Sequence, residues 1–166
     1  MKRLWLTFVG VMVVSFLVLG WIGFRINDEA PPIPRRVVTT AGAEIIGESQ
    51  IQKGQNVWQS MGGMEVGSIW GHGSYVAPDW SADYLHREAV FILNHWVTTN
   101  FSSDFSALTP EQQAQLVGRL TVLMRTNTFD RATESVTVDP LRAEAFQSNL
   151  EHYSDVFANG NADYAI

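Results

Sequence analysis

The chain has 166 residues, 46% of them hydrophobic, with 11 Lys and Arg against 17 Asp and Glu and no cysteine. That size allows one ordinary domain plus a membrane segment, and the lack of thiols excludes disulfides, Cys-ligated zinc, iron–sulfur clusters and thiolate nucleophiles. Residues 26–166 carry 8 basic and 17 acidic residues, a net charge of −9, which argues against a nucleic-acid partner because phosphate binding is driven by clustered Lys and Arg.

Leu4 to Phe24 form an uncharged run of 21 residues, which at 1.5 Å per residue spans the roughly 30 Å hydrocarbon core of a bilayer. Trp5 and Trp21 lie near its two ends, where indoles favour the interface. Lys2 and Arg3 precede the run, while Arg25 is followed closely by Asp28 and Glu29. The charge bias therefore predicts a cytoplasmic N-terminus with the remainder outside. A cleaved signal peptide would need a shorter apolar region and a small-residue cleavage site, and "GWIGFRINDEAPP" offers none. The expected organisation is a transmembrane anchor over 1–25, an extended linker and lead-in segment over 26–48, and an outer domain over 49–166. The prolines of "EAPPIPRR" stiffen the linker.

Residues 37–40 and 44–46 read as short strands or extended chain. Ser49 is placed to cap a helix over about 50–60, with Gly54 inside it at a cost of about 1 kcal/mol relative to Ala. A glycine in that place suggests that something packs against bare backbone. From Met61 to Asp79 the chain reads as a glycine-rich loop, and a loop of that length usually wraps a ligand, a partner or its own core. Ser81 is the expected cap of a helix running to about Thr99, whose apolar residues spread too widely around the wheel for one exposed face. Thr109-Pro110-Glu111-Gln112 is a helix start with a capping box, followed by a stripe of Leu116, Leu120, Leu123 and Met124. "ESVTVD" alternates as a strand does. Asp139-Pro140 opens a last helix, with Phe146, Leu150, Tyr153 and Phe157 at helical spacing and "ANG" as its stop. The fold class is thus mainly α, with a minor strand component.

Four histidines, His72, His86, His95 and His152, are the only imidazoles. Asp83 and His86 are neighbours on a predicted helix, and with Asp79 or His72 folded nearby they offer at most a weak metal site with no recognised spacing. The structural alternative has Asp83 favoured by the helix dipole, with His86 and Arg87 bonding to the loop. Trp58, Trp70, Trp80 and Trp96, with Tyr75, form either a ring-stacking pocket or, as is commoner for such density, core. The Gly62-Gly63 pair and "GHG" lack the strand-then-helix context of phosphate-binding loops, and no nucleophile motif is present.

The stretch from Gly54 to Glu88, "GQNVWQSMGGMEVGSIWGHGSYVAPDWSADYLHRE", resembles the N-terminal region of the quinol-dependent, single-chain nitric oxide reductases, and the resemblance covers the anchor and the whole outer domain. It implies a cytochrome c-like fold. Gly54 and Trp58 then take the places of the glycine and aromatic of the first haem-packing helix, and Gly71, Gly73, Tyr75, Ala77 and Pro78 fall in register with the loop after the haem. In that register the Cys-x-x-Cys-His positions are held by Gly63, Val66 and Gly67, so neither thioether attachment nor proximal histidine ligation is available. A former haem space left empty would cost stability. The expected fill is Met61, Met64 and Trp70, with Trp80 and Trp96.

The resemblance also implies what the chain does not carry. The family reduces two nitric oxide molecules, with two electrons and two protons, to nitrous oxide and water at a b-type haem beside a non-haem iron, on histidine ligands of a membrane-helix bundle. No catalytic, cofactor-binding or metal residue of that centre falls in residues 1–166, and these residues alone are expected to be inactive. The implied partners are the catalytic bundle, on the same polypeptide or another chain, and membrane lipid, with a homodimer allowed. The implied location is the bacterial inner membrane, with residues 26–166 periplasmic. Two other readings stay open: a stand-alone, membrane-anchored binding or assembly module without activity, and an independent haem or metal protein using His72 and His86.

Overall fold

The computed structural model describes residues 2–71, 78–101 and 103–166. The chain divides into two compact units, Met1–Ile33 and Pro34–Ile166.

The first unit is one helix, α1 (Lys2–Glu29), with no buried residue. It is long and apolar enough to cross a membrane, and its large apolar side chains are exposed along its whole length, from Leu4 to Ile26. Such a surface is stable only against another apolar phase. Arg25 and Glu29 pair one turn apart at its C-terminal end.

In the second unit the first elements are strands β1 (Arg36–Thr39) and β2 (Glu44–Gly47), both within the stretch expected to be linker and lead-in. They join β3 (Phe129–Asp130) and β4 (Ser135–Val138) in a four-stranded sheet of order β2-β1-β4-β3. β1 pairs with β4 in parallel, and the two outer pairings are antiparallel. β3 has only two residues, too few for a period-two pattern to register.

Helix α2 (Glu48–Ser60) is capped by Gly47 rather than Ser49. The Gly47 N–H donates to the Gln50 side chain at 3.0 Å, which satisfies the lead-in backbone without a capping hydroxyl. No residue of α2 is fully buried, and a Cβ added at Gly54 would meet nothing within 4 Å. Among the described residues, nothing packs against that bare backbone.

Helices α3 (Trp80–Phe101), α4 (Pro110–Arg125) and α5 (Pro140–Asn159) build the core. Ile92, Trp96 and Val97 of α3 meet Leu116 and Leu120 of α4, together with Leu108 and Leu141. Leu123 and Met124 pack against that cluster partly buried. α3 packs on α4 with one side and on α5 with another, which is why its apolar residues span so much of the wheel. The α4 start is the expected capping box: Gln112 N–H donates to Thr109 Oγ1 at 3.4 Å and Thr109 N–H to Gln112 Oε1 at 2.9 Å. Asp139 caps α5 through Leu141 N–H at 2.8 Å, and Gly160, at φ 77°, ends it.

The buried face of α5 is Leu141, Ala145, Asn149 and Val156, not the aromatic stripe expected from spacing. Leu150 and Phe157 are each 49% exposed. The small Ala145 is 1% exposed in this seam, and polar pairing tolerates what else the seam buries. Glu88, 2% exposed, takes a two-pronged ion pair from Arg142, with Nε–Oε1 at 2.6 Å and the second nitrogen at 3.3 Å. Asn149 accepts from Arg87 Nε at 3.1 Å and donates to the Tyr84 carbonyl at 3.4 Å. Bidentate geometry and neighbouring hydrogen bonds are what make a buried pair tolerable.

Removing one partner leaves the other charge unpaired in the seam. Glu88→Leu alone is expected to cost about 3–5 kcal/mol in denaturant unfolding. Glu88→Leu with Arg142→Met should recover most of that loss, and a double replacement no better than the single one would show that the pair does not couple the helices.

Candidate functional site

The glycine-rich segment is closed at its ends by Asp79. Ser68 N–H donates to the Pro78 carbonyl at 2.9 Å, and Trp80 N–H returns to the Ser68 carbonyl at 2.9 Å. The Asp79 carboxylate accepts from Ser68 Oγ at 3.0 Å, from Gly71 N–H, and from Ala82 N–H at 2.9 Å. Asp79 is therefore the N-cap of α3, the role expected of Ser81. Ser81 Oγ instead accepts from Trp70 N–H at 3.0 Å, which holds Trp70 at φ 54°. The hydrogen bonds to the Asp79 carboxylate, that of Ala82 foremost, hold its pKa below the ordinary value.

This closure places Trp80 at the first position of α3, beneath the loop. Its ring is 7% exposed and meets Tyr164 at 5.2 Å, Phe157 at 5.3 Å and Tyr153 at 5.9 Å between centroids. Trp58 of α2 meets Phe157 at 6.3 Å and donates Nε1 to Met64 Sδ at 3.4 Å. The two indoles lie directly on glycines. A Cβ added at Gly63 would come within 2.2 Å of Trp58 Cδ2, and one added at Gly67 within 1.9 Å of Trp80 Nε1. Trp80 Nε1 is buried without a hydrogen-bond partner among the described residues.

In the register expected from the sequence, Gly63 and Gly67 stand where a covalently held haem would need a cysteine and a histidine. No side chain fits at either while the indoles stay, and Val66, the third, is 38% exposed. The residues present do not fit a haem.

The five side chains expected to fill that space separate. Trp80 lies in the aromatic cluster just described. Trp96 is equally buried but sits in the α3–α4 core, with Arg119 stacked 4.1 Å over its ring. Met61 is 78% exposed, Trp70 73% and Met64 40%, so these three are surface residues of the chain. The ring that lies against Gly63 is that of Trp58. The sequence signal for it was the Trp58–Gly63 proximity within one short helix and turn, which gives a large ring only a glycine to rest on.

Asp83 accepts from Tyr153 Oη at 2.7 Å and from Tyr164 Oη at 2.9 Å. Tyr164 Oη also lies 3.1 Å from His152 Nε2. Burial and the bond to Asp83 raise the Tyr153 phenol pKa above its ordinary value, and burial raises that of Tyr84 to about 12. Desolvation, with Arg87 nearby, lowers the His152 pKa. Asp83 is thus turned to α5, not toward a metal shared with His86, which is exposed. Arg87 likewise bonds across to α5 rather than to the loop. No group of three or more His, Cys, Asp or Glu suited to a metal occurs among the described residues. His72, Gly73, Tyr75 and Ala77 lie outside them.

Trp58, Trp70 and Trp80, with Ile69, Ser81, Tyr84, Leu85, Tyr153 and Phe157, line an open groove of about 490 Å³, and none of these described residues is charged. A mainly helical core with a small mixed sheet, in a chain without cysteine, is that of a cytochrome c-like domain without haem c. Residues 34–166 match the family of the cytochrome c-like domain of the NorB subunit of nitric oxide reductase. The chain belongs to that family and is part of a nitric oxide reductase subunit. No curated protein matches it.

Gly67→Ala is expected to destabilise the protein by about 1–3 kcal/mol through overpacking, whereas Gly118→Ala, in open helix surface, should stabilise it by up to about 1 kcal/mol. Trp80→Phe removes an unpaired N–H and should offset part of the Gly67→Ala loss in a double-mutant cycle; simple additivity would refute the contact. Because the folded Asp79 pKa is depressed, its contribution to stability is present above the ordinary carboxylate pKa and is lost as pH falls through the folded value. Melting curves of Asp79→Asn should accordingly show a shallower decline below about pH 4 than those of the unaltered chain.

Proposed function

We propose that this chain is the membrane-anchored, periplasmic front of a quinol-dependent nitric oxide reductase, and that its outer domain covers the catalytic helix bundle without carrying electrons. The observation that carries this reading is the pair of indoles seated on Gly63 and Gly67 in a domain of the reductase family. A domain built to relay electrons from a soluble donor would need a redox group there. With the space occupied by Trp58 and Trp80, electrons reach the catalytic centre by another route, and a membrane quinol supplies one.

In the complete enzyme, b-type haem and non-haem iron would convert two nitric oxide molecules, two electrons and two protons to nitrous oxide and water. Residues of this chain contribute no ligand to that centre in this reading. α1 contains no histidine, and it serves as an anchor in the cytoplasmic membrane, with Lys2 and Arg3 on the inner side.

Membranes containing the complete enzyme should consume nitric oxide with a reduced quinol as donor and give nitrous oxide in a two-to-one ratio. Reduced soluble cytochrome c should support no turnover. Turnover driven by cytochrome c, or none with any quinol, would overturn the proposal.

A further inference from the structure

We propose that Asn159 is a site of spontaneous covalent modification, closing on the backbone of Gly160 to a cyclic imide that water opens to aspartate or isoaspartate, at a rate set by the last turn of α5. Asn159-Gly160 is the one Asn-Gly pair in the sequence. Glycine has no side chain to hinder approach to its nitrogen and the widest choice of backbone angles. In the reaction the Gly160 nitrogen loses its proton and attacks Asn159 Cγ. The new N–Cγ bond forms, and the side-chain nitrogen takes up a proton and leaves as ammonia. One water molecule then adds at either imide carbonyl and leaves a carboxylate on residue 159.

Three restraints hold the folded chain away from that geometry. Gly160 N–H donates to the Val156 carbonyl at 2.9 Å. Asn159 Nδ2 donates to Asp155 Oδ1 at 2.7 Å, one turn back, because side chains on a helix lean toward its N-terminus. The carbon to be attacked is thus drawn over the preceding turn, while the attacking nitrogen belongs to the following residue. Beyond Gly160, Asp163 N–H donates to Asn161 Oδ1 at 2.8 Å, Tyr164 Oη donates to Asp83 at 2.9 Å, and the Tyr164 ring lies 5.2 Å from that of Trp80. These contacts anchor the segment that would have to swing. Reaction therefore waits for the last turn to open, which helix ends do more readily than core segments.

The product undoes the same restraints. A carboxylate at 159 cannot donate to Asp155, stands one turn from it as a like charge, and meets the negative end of the helix dipole. Isoaspartate also adds a methylene to the main chain ahead of Gly160. Modification thus loosens the turn that seats Tyr164 on Trp80.

The test ages the complete enzyme in its native membrane at mildly alkaline pH, beside the same preparation unfolded in urea. Peptide mass spectrometry, with isoaspartyl methyltransferase labelling, reads residue 159. Asn159 should convert in the folded enzyme, about tenfold or more slower than in urea. Asp155→Ala and Tyr164→Phe should each speed the folded reaction, and Asn159→Gln should abolish the product. Hydrogen exchange over residues 157–166 should be about two- to tenfold faster in Asn159→Asp than in the unaltered protein. No product at residue 159 in the folded enzyme, equal rates in the folded and unfolded chains, or a folded rate that neither variant changes would each overturn the site as one governed by α5. Unchanged exchange in Asn159→Asp would overturn the loosening.

Discussion

The contact between two indoles and two glycines is the constraint on which the outer domain turns. A tryptophan ring needs a broad, flat neighbour, and a bare glycine backbone supplies one at van der Waals distance. Trp80 can lie beneath the loop only because residue 67 has no side chain, and its position then organises Tyr153, Phe157 and Tyr164 around it. Asp79, one residue earlier, both starts α3 and pins the loop. Helix start, loop closure and aromatic packing are thus one local arrangement.

The same arrangement gives the loop side of the domain an aromatic core with no cofactor in it. A large flat ligand in a small domain replaces much of the core, and its loss would leave a cavity whose cost grows with volume. Indoles are the largest flat side chains available, and here two of them lie directly against glycine. Beside them lies an open groove rather than a sealed void. The polar seam between α3 and α5 adds directional restraint, because Glu88, Arg142 and Asn149 are satisfied in one relative setting of the two helices.

Much of this was legible in the residues. Helix starts with a hydroxyl or carboxylate followed by proline, at Thr109 and Asp139, were local signals and fell where their chemistry places them. The signals that misled were those decided by tertiary contacts. Ser81 is as good a cap as Asp79 in isolation, and only the loop folding back on Ser68 and Gly71 selects the carboxylate. Phe157 has the spacing of a core residue, but Asn149 and Ala145 turn another face of α5 inward. Met61 and Trp70 are apolar and near the positions read from the sequence as a lost haem motif, yet Trp58, reaching back from α2, is the ring that lies on Gly63. The family resemblance rested on glycines whose meaning appears only when the rings above them are seen.

The parallel pairing of β1 with β4 has a consequence for biosynthesis. β1 follows α1 closely and leaves the ribosome well before β4, its partner, which is encoded after α4, near the far end of the domain. With synthesis proceeding at about 5–20 residues per second, β1 waits for seconds with one edge unpaired. Its pairing with β2 shields the other edge only. Closure of the sheet is therefore among the last steps of folding, and any factor that holds the early strand apart during that interval acts on yield rather than on the finished protein.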